Sequence, residues 1–211
     1  MEEDIFSLSV YKKQSEFVKW ASSLEVDVAS DIIDVLTDIP WLGDLVKLGR
    51  VGKGFLDLHF IKKMGLFLQQ SEFIEDEKKE EFLSSLEPKD RKRMYEYLVH
   101  LLYTAEEDRK AIIMGMVYRD RIMNNIDNDM FLRLCSAINR VYVDDVSKLG
   151  NYVDINYSSD HIANNLYSSG LLQLTKSEVV DGTLVVGGNF IINKVGTELL
   201  RIINENSDST K

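Results

Sequence analysis

A single cysteine, Cys135, stands among 211 residues, so no disulfide can close within the chain and no cysteine-based zinc cluster can be built. Its place directly after Leu134, in an apolar stripe, marks it as a small core residue rather than a nucleophile. Proline is nearly missing too. Pro40 and Pro88 are the only two, which leaves little room for extended linkers and confines expected fraying to residues 1–4 and 205–211. No apolar run approaches the roughly 18–20 residues of a membrane span, and the opening MEEDIFSLSV carries acids where a secretory signal needs a basic segment. These absences set the expectation of a cytoplasmic protein. The three histidines, His59, His100 and His161, are far apart and fall in no metal-binding or catalytic spacing, and His100 pairs more simply with Glu96 one helical turn away. The expectation is a non-enzyme without cofactor or metal.

Acid is what the chain has in excess. A formal net charge of −10 favours solubility and repels phosphate backbones, which argues against nucleic acid as the partner. A hydrophobic fraction of 45% with 28% charged residues is that of a globular protein with a real core.

Most of the chain carries a helical period. Residues 10–39 repeat Phe17, Trp20, Ala21, Leu24, Ile32, Ile33, Leu36 and Ile39 at three- and four-residue intervals, and Pro40 should end that helix. The glycine-rich, apolar stretch after Pro40 reads as one helix interrupted near 49–54 or as two short helices joined there. Residues 72–86 suit a solvated helix anchored by Phe73, Ile74, Phe82 and Leu83; Pro88 should open the next, and two more are expected over 106–123 and 129–149.

The period changes after Tyr152. Val153, Ile155 and Tyr157 alternate with polar residues as in a short strand, Asp160 or its neighbours can cap a helix, and Gly170 can end it in left-handed geometry. Asp181-Gly182 between two β-branched runs is a hairpin signal, and a closing helix is expected over 195–204. The fold expected is mainly α: a helical domain over 1–150 and a small α+β unit over 151–207 whose helix, hairpin, helix order is winged-helix-like.

Four candidate sites arise. Asp27, Asp31, Asp34 and Asp38 share one helix face, either as a divalent-cation cluster or, more simply, as the solvated side of an amphipathic helix. Gly49 to Gly54 resembles a phosphate loop but lacks the required earlier glycine and the following Ser or Thr. Asp127-Asn128-Asp129 opens like a calcium loop without its later Gly and Glu. The segment 40–68 is locally basic, and Trp41, Lys47, Arg50, Lys53, Phe55, Lys62 and Lys63 are its candidate partner-binding residues, on a protein partner or as a peripheral membrane contact; close helix packing through its glycines is the competing reading.

On the helix after Asp160, Ile162, Leu166 and Tyr167 should face inward and His161, Asn164, Asn165 and Ser168 outward. From Asn151 onward the cations are Lys176, Lys194, Arg201 and Lys211, against Asp154, Asp160, Glu178, Asp181, Glu198, Glu205 and Asp208. Asparagine can read adenine, yet without phosphate anchors it gives little affinity. His161, Asn164 and Asn165 are therefore expected to meet a protein partner or a second copy of the chain, with a winged-helix DNA-binding regulator as the alternative.

Two runs carry a family resemblance. Phe55-Leu56-Asp57-Leu58-His59-Phe60-Ile61-Lys62-Lys63, with Phe67-Leu68, is similar to a stretch of uncharacterised helical bacterial proteins. Leu166-Tyr167-Ser168-Ser169-Gly170-Leu171-Leu172 with Ile192 to Leu200 resembles the tail of the abortive-infection alpha group. The resemblance covers about a third of the chain and implies an association with phage defence and mobile elements and a bacterial or phage origin; it carries over no catalytic residue, and the expectation for the whole chain is a non-enzymatic adaptor or regulator.

Overall fold

Apolar side chains at helical spacing find their partners in a run of helices. A computed structural model of the chain describes residues 58–154, 160–175, 178–180, 183–185 and 189–208, and its contacts divide between Ile126 and Asp127 into two compact units. The division falls ahead of a helix that starts at Asn128, whereas the sequence suggested a boundary at 150. The described part is mainly helical with short antiparallel strands.

In the first unit, α1 (Leu58–Gln69), α2 (Asp76–Ser85), α3 (Pro88–Thr104) and α4 (Asp108–Ile122) follow the expected order. Helix α1 buries Phe60, Met64, Phe67 and Leu68, one stripe of its surface, chiefly against α4. Its close partner there is Gly115, whose missing side chain lets the α1 backbone approach at Phe67. Phe67 stacks on Tyr118 with ring centroids 5.1 Å apart, and Phe82 of α2 meets the same ring edge-on at 6.0 Å. Pro88 stands at the start of α3 as expected, where its missing N–H costs nothing. Phe73 does not anchor α2. The turn over residues 70–74 buries Ser71 and Ile74 and throws Phe73 outward, 91% exposed.

The second unit opens with α5 (Asn128–Arg140), capped by the Asp127 side chain, which accepts from the Met130 amide at 2.8 Å. Phe131, Leu134, Cys135, Ala137 and Ile138 fill its buried face. The single helix expected over 129–149 stops at Arg140. Val141 and Tyr142 are extended, a four-residue helix α6 (Val143–Val146) follows, and Leu149–Tyr152 makes one 3-10 turn. The reason lies in Val141-Tyr142-Val143: a β-branched and aromatic run favours extended backbone, and in it both valines are buried while Tyr142 points outward at 58% exposure. The strand expected from Val153 does not start there, since Val153 keeps helical dihedrals; Ile155 and Tyr157 lie outside the described residues.

Helix α7 (His161–Ser168) ends as the sequence suggested. Gly170 adopts φ +88°, and the Leu171 amide reaches back to the Leu166 carbonyl at 2.9 Å, closing the helix in a left-handed C-terminal turn. Strands β1 (Leu172–Leu174) and β4 (Phe190–Ile192) pair antiparallel, Leu172 opposite Ile192 and Leu174 opposite Phe190. Inside them β2 (Glu178–Val180) and β3 (Thr183–Val185) pair with Val180 opposite Thr183, so the four strands nest as two ladders of one hairpin path. Helix α8 (Lys194–Asp208) closes the unit and carries regular structure through Glu205 to Asp208, which the sequence left to fraying. Asn193 joins these parts: its amide nitrogen donates to the Gly170 and Leu172 carbonyls at 2.9 and 3.1 Å, and its Oδ1 accepts from the Gly196 amide at 3.0 Å.

Candidate functional site

The outward face of α7 is built from below by a polar cluster. Asp160 caps the helix by accepting from the Ala163 amide at 2.9 Å, and Tyr152 hydrogen-bonds the same carboxylate. Burial and the nearby charges of Asp160 and Asp145 push the Tyr152 phenol above its ordinary range, so it stays a neutral donor. One turn on, the Asn165 side chain donates to Asp145 Oδ2 at 2.6 Å. Ala163 and Leu166 are buried beneath the helix.

This arrangement corrects two expectations. Asn165 does not face outward with His161 and Asn164; it is half-buried and spent on Asp145, a carboxylate that is itself buried and needs a donor. Tyr167 does not face inward: it is 44% exposed, with its ring resting on Phe190 of β4 at 5.7 Å. The exposed side of α7 is therefore His161, Asn164, Tyr167 and Ser168, with exposed Leu174 on β1 opposite Phe190. The Asn164 side chain donates to the Asp160 carbonyl at 2.9 Å. Replacing Asn165 with alanine should cost about 2 kcal/mol, the usual worth of a hydrogen bond to a charged group, by stranding the buried Asp145. A urea-unfolding midpoint within error of the parent's would show the bond carries no weight.

A second surface feature lies along α5. A groove of about 350 Å³ is lined by Leu132, Arg133, Ser136, Ala137, Arg140, Ser169, Gly170 and Val195. Arg140 reaches across it: Nη2 donates to the Ser169 carbonyl at 3.1 Å and Nε to the Ser136 carbonyl at 3.3 Å. Arg133 pairs through Nε with Asp129 Oδ2 at 2.6 Å, a contact that holds the guanidinium's pKa above its ordinary value. The sequence reading passed over this stripe, although Arg133, Ser136 and Arg140 recur at three- and four-residue spacing on one helix face.

The basic segment fares differently from expectation where it is described. Trp41, Lys47, Arg50, Lys53 and Phe55 lie outside the described residues, as do Asp27, Asp31, Asp34 and Asp38 and the glycine run 49–54. Lys62 is half-exposed and paired with Asp108 at 2.6 Å. Lys63 is not presented to a partner. It is 7% exposed, and its ammonium donates to the Ala105 carbonyl at 2.7 Å and the Tyr103 carbonyl at 3.2 Å, satisfying acceptors that the end of α3 would otherwise leave open.

No known family model, curated protein or solved structure matches the chain. Among the described residues no group of His, Cys, Asp and Glu is placed to hold a metal ion, and no helix is long and apolar enough to cross a membrane. Cys135 is fully buried, and burial drives its thiol far above the ordinary range, which keeps it unreactive. Burial likewise pushes Tyr118 up to about 12, against a hydrogen bond with Tyr95 and the charge of Arg121 that pull the other way.

Proposed function

We propose that the protein is a non-enzymatic adaptor or regulator whose C-terminal unit is a winged-helix-like module, with α7 as its presenting helix and the β1–β4 hairpin as its wing, and that this module holds a protein partner. The observation that carries the reading is the outward face of α7. It shows His161, Asn164, Tyr167 and Ser168, without a lysine or arginine, beside the exposed Leu174 of the hairpin.

A helix that enters a DNA groove needs phosphate anchors around it, because backbone contacts supply most of the affinity and fix the register. This helix offers none of its own. A half-exposed tyrosine held against a buried phenylalanine is instead the kind of rigid, amphipathic contact that anchors protein interfaces. The acidic balance of the chain supports a partner with a complementary basic surface.

The test compares the parent with a Tyr167→Asp, Leu174→Asp variant in affinity capture from the cells that make the protein. Partners that the parent retains and the variant loses, with both proteins folded by circular dichroism, are the expected result. Anisotropy with mixed-sequence duplex DNA should show no binding even at low ionic strength. Binding that weakens steeply with salt would overturn the reading in favour of a DNA-binding regulator.

A further inference from the structure

The groove along α5 has a composition that the α7 surface does not explain. Its polar lining consists of two guanidiniums, two serine hydroxyls and backbone, with no carboxylate among the lining residues. Arg133 and Arg140 stand two helical turns apart, about 10 Å along the axis at 1.5 Å per residue, and Ser136 lies between them on the same stripe. Side chains of that length can converge on one group above Ser136.

Among the described residues their bonds leave donors over. Arg140 spends Nε and Nη2 on carbonyls and keeps Nη1. Arg133 gives Nε to Asp129 in an exposed pair of the kind that contributes little, and keeps both terminal nitrogens. Among the described residues the Ser136 hydroxyl makes no hydrogen bond, whereas Ser169 donates its own to the Asn165 carbonyl at 2.7 Å. A concave site rich in unspent N–H and O–H donors and lacking acidic lining, in a chain of net charge −10, selects an oxyanion.

We propose that the groove formed by Arg133, Ser136 and Arg140 binds the phosphate group of a small phosphorylated ligand. Two guanidiniums, that of Arg133 shared with Asp129, favour a phosphate monoester, which carries a charge of about −2 near neutral pH, over a carboxylate with one negative charge. The volume of about 350 Å³ is at the lower end of the range for small-molecule sites. The Arg140 bond to the Ser169 carbonyl fixes one guanidinium in advance of binding, so less freedom is lost when the anion arrives.

The experiment is an NMR titration of the full chain with inorganic phosphate at constant ionic strength. Saturable shifts are expected at the amides of Ser136, Arg140, Ser169 and Gly170. Arg133→Gln, which leaves the Arg140 anchor untouched, should weaken binding by about tenfold, as loss of a charge-assisted hydrogen bond does. Ser136→Ala should weaken it by a smaller factor. The proposal is overturned by the absence of saturable shifts, by an affinity unchanged in both variants, or by acetate binding as tightly as phosphate. Short duplex DNA is the remaining arm: binding that competes with phosphate and is lost in Arg133→Gln would assign the groove to a nucleic-acid backbone and overturn the small ligand. Because Tyr167 and Leu174 are outside the groove lining, failure here leaves the protein-partner reading standing, and failure there leaves this one.

Discussion

Alanine at position 196 is expected to cost the protein about 3 kcal/mol, the upper end of what overpacking does in a well-packed interior. A methyl group there would press into the carbonyl oxygen of Leu171 and stand 2.8 Å from Cγ1 of Ile192. The first obstacle is backbone, and it cannot swing aside: the same Leu171 oxygen accepts from the Asn193 amide at 3.2 Å, at the junction of β4 and α8. Relief would have to come from sliding the start of α8, which would break the Asn193 Oδ1 cap on the Gly196 amide as well. A fall in the urea midpoint, with loss of hydrogen-exchange protection in β1 and α8, is the expected measurement. Gly150→Ala supplies the contrast, because a methyl there meets nothing within 4 Å, and its stability should match the parent's. Equal behaviour of the two variants would refute the packing argument.

Gly115→Ala is expected to do comparable damage to the first unit, about 2–3 kcal/mol, since the new methyl would press into the Phe67 carbonyl oxygen. Its other contacts are Gln70 Cγ at 2.7 Å, which can rotate aside, and Gln70 Cβ at 3.1 Å, which is fixed to the backbone. The backbone of α1 cannot give way without disturbing Phe67, whose ring stacks on Tyr118. Near-ultraviolet circular dichroism should therefore lose tyrosine signal before the far-ultraviolet helix signal falls. A variant with unchanged near-ultraviolet spectrum and midpoint would show that α1 and α4 do not depend on this approach.

How far the sequence showed these features depends on whether their causes are local. Helices α2 to α4 and α7 were legible because apolar spacing, Pro88, Asp160 and Gly170 act within a few residues of themselves. The inner strand pair was legible in the β-branched runs on either side of Asp181-Gly182, and Val180 stands opposite Thr183 in it; residues 181–182 themselves lie outside the described residues. The break at Val141-Tyr142 was missed because the apolar period continues through it, while the choice of extended backbone depends on what the two valines find to bury against. Asn165 and Lys63 were misread for a related reason. Their partners, Asp145 and the Ala105 carbonyl, are far along the chain, so an outward-facing position by helix phase became an inward-facing one by hydrogen bonding. The α5 groove needed Ser169, Gly170 and Val195 brought against the helix, and no spacing rule supplies that.

The inward lysine has a further consequence for charge at contact range. Among the described residues Lys63, Lys79, Lys110 and Arg121 are buried, while the buried acids are Asp120 and Asp145. More cations than anions are thus withdrawn from the surface. At long range the field still reflects the full −10, but a molecule that touches the described part of the protein meets an exterior more acidic than that part's composition states. Arg133 and Arg140 are, with Arg93 and Arg109, among the guanidiniums that stay exposed to any anion that arrives.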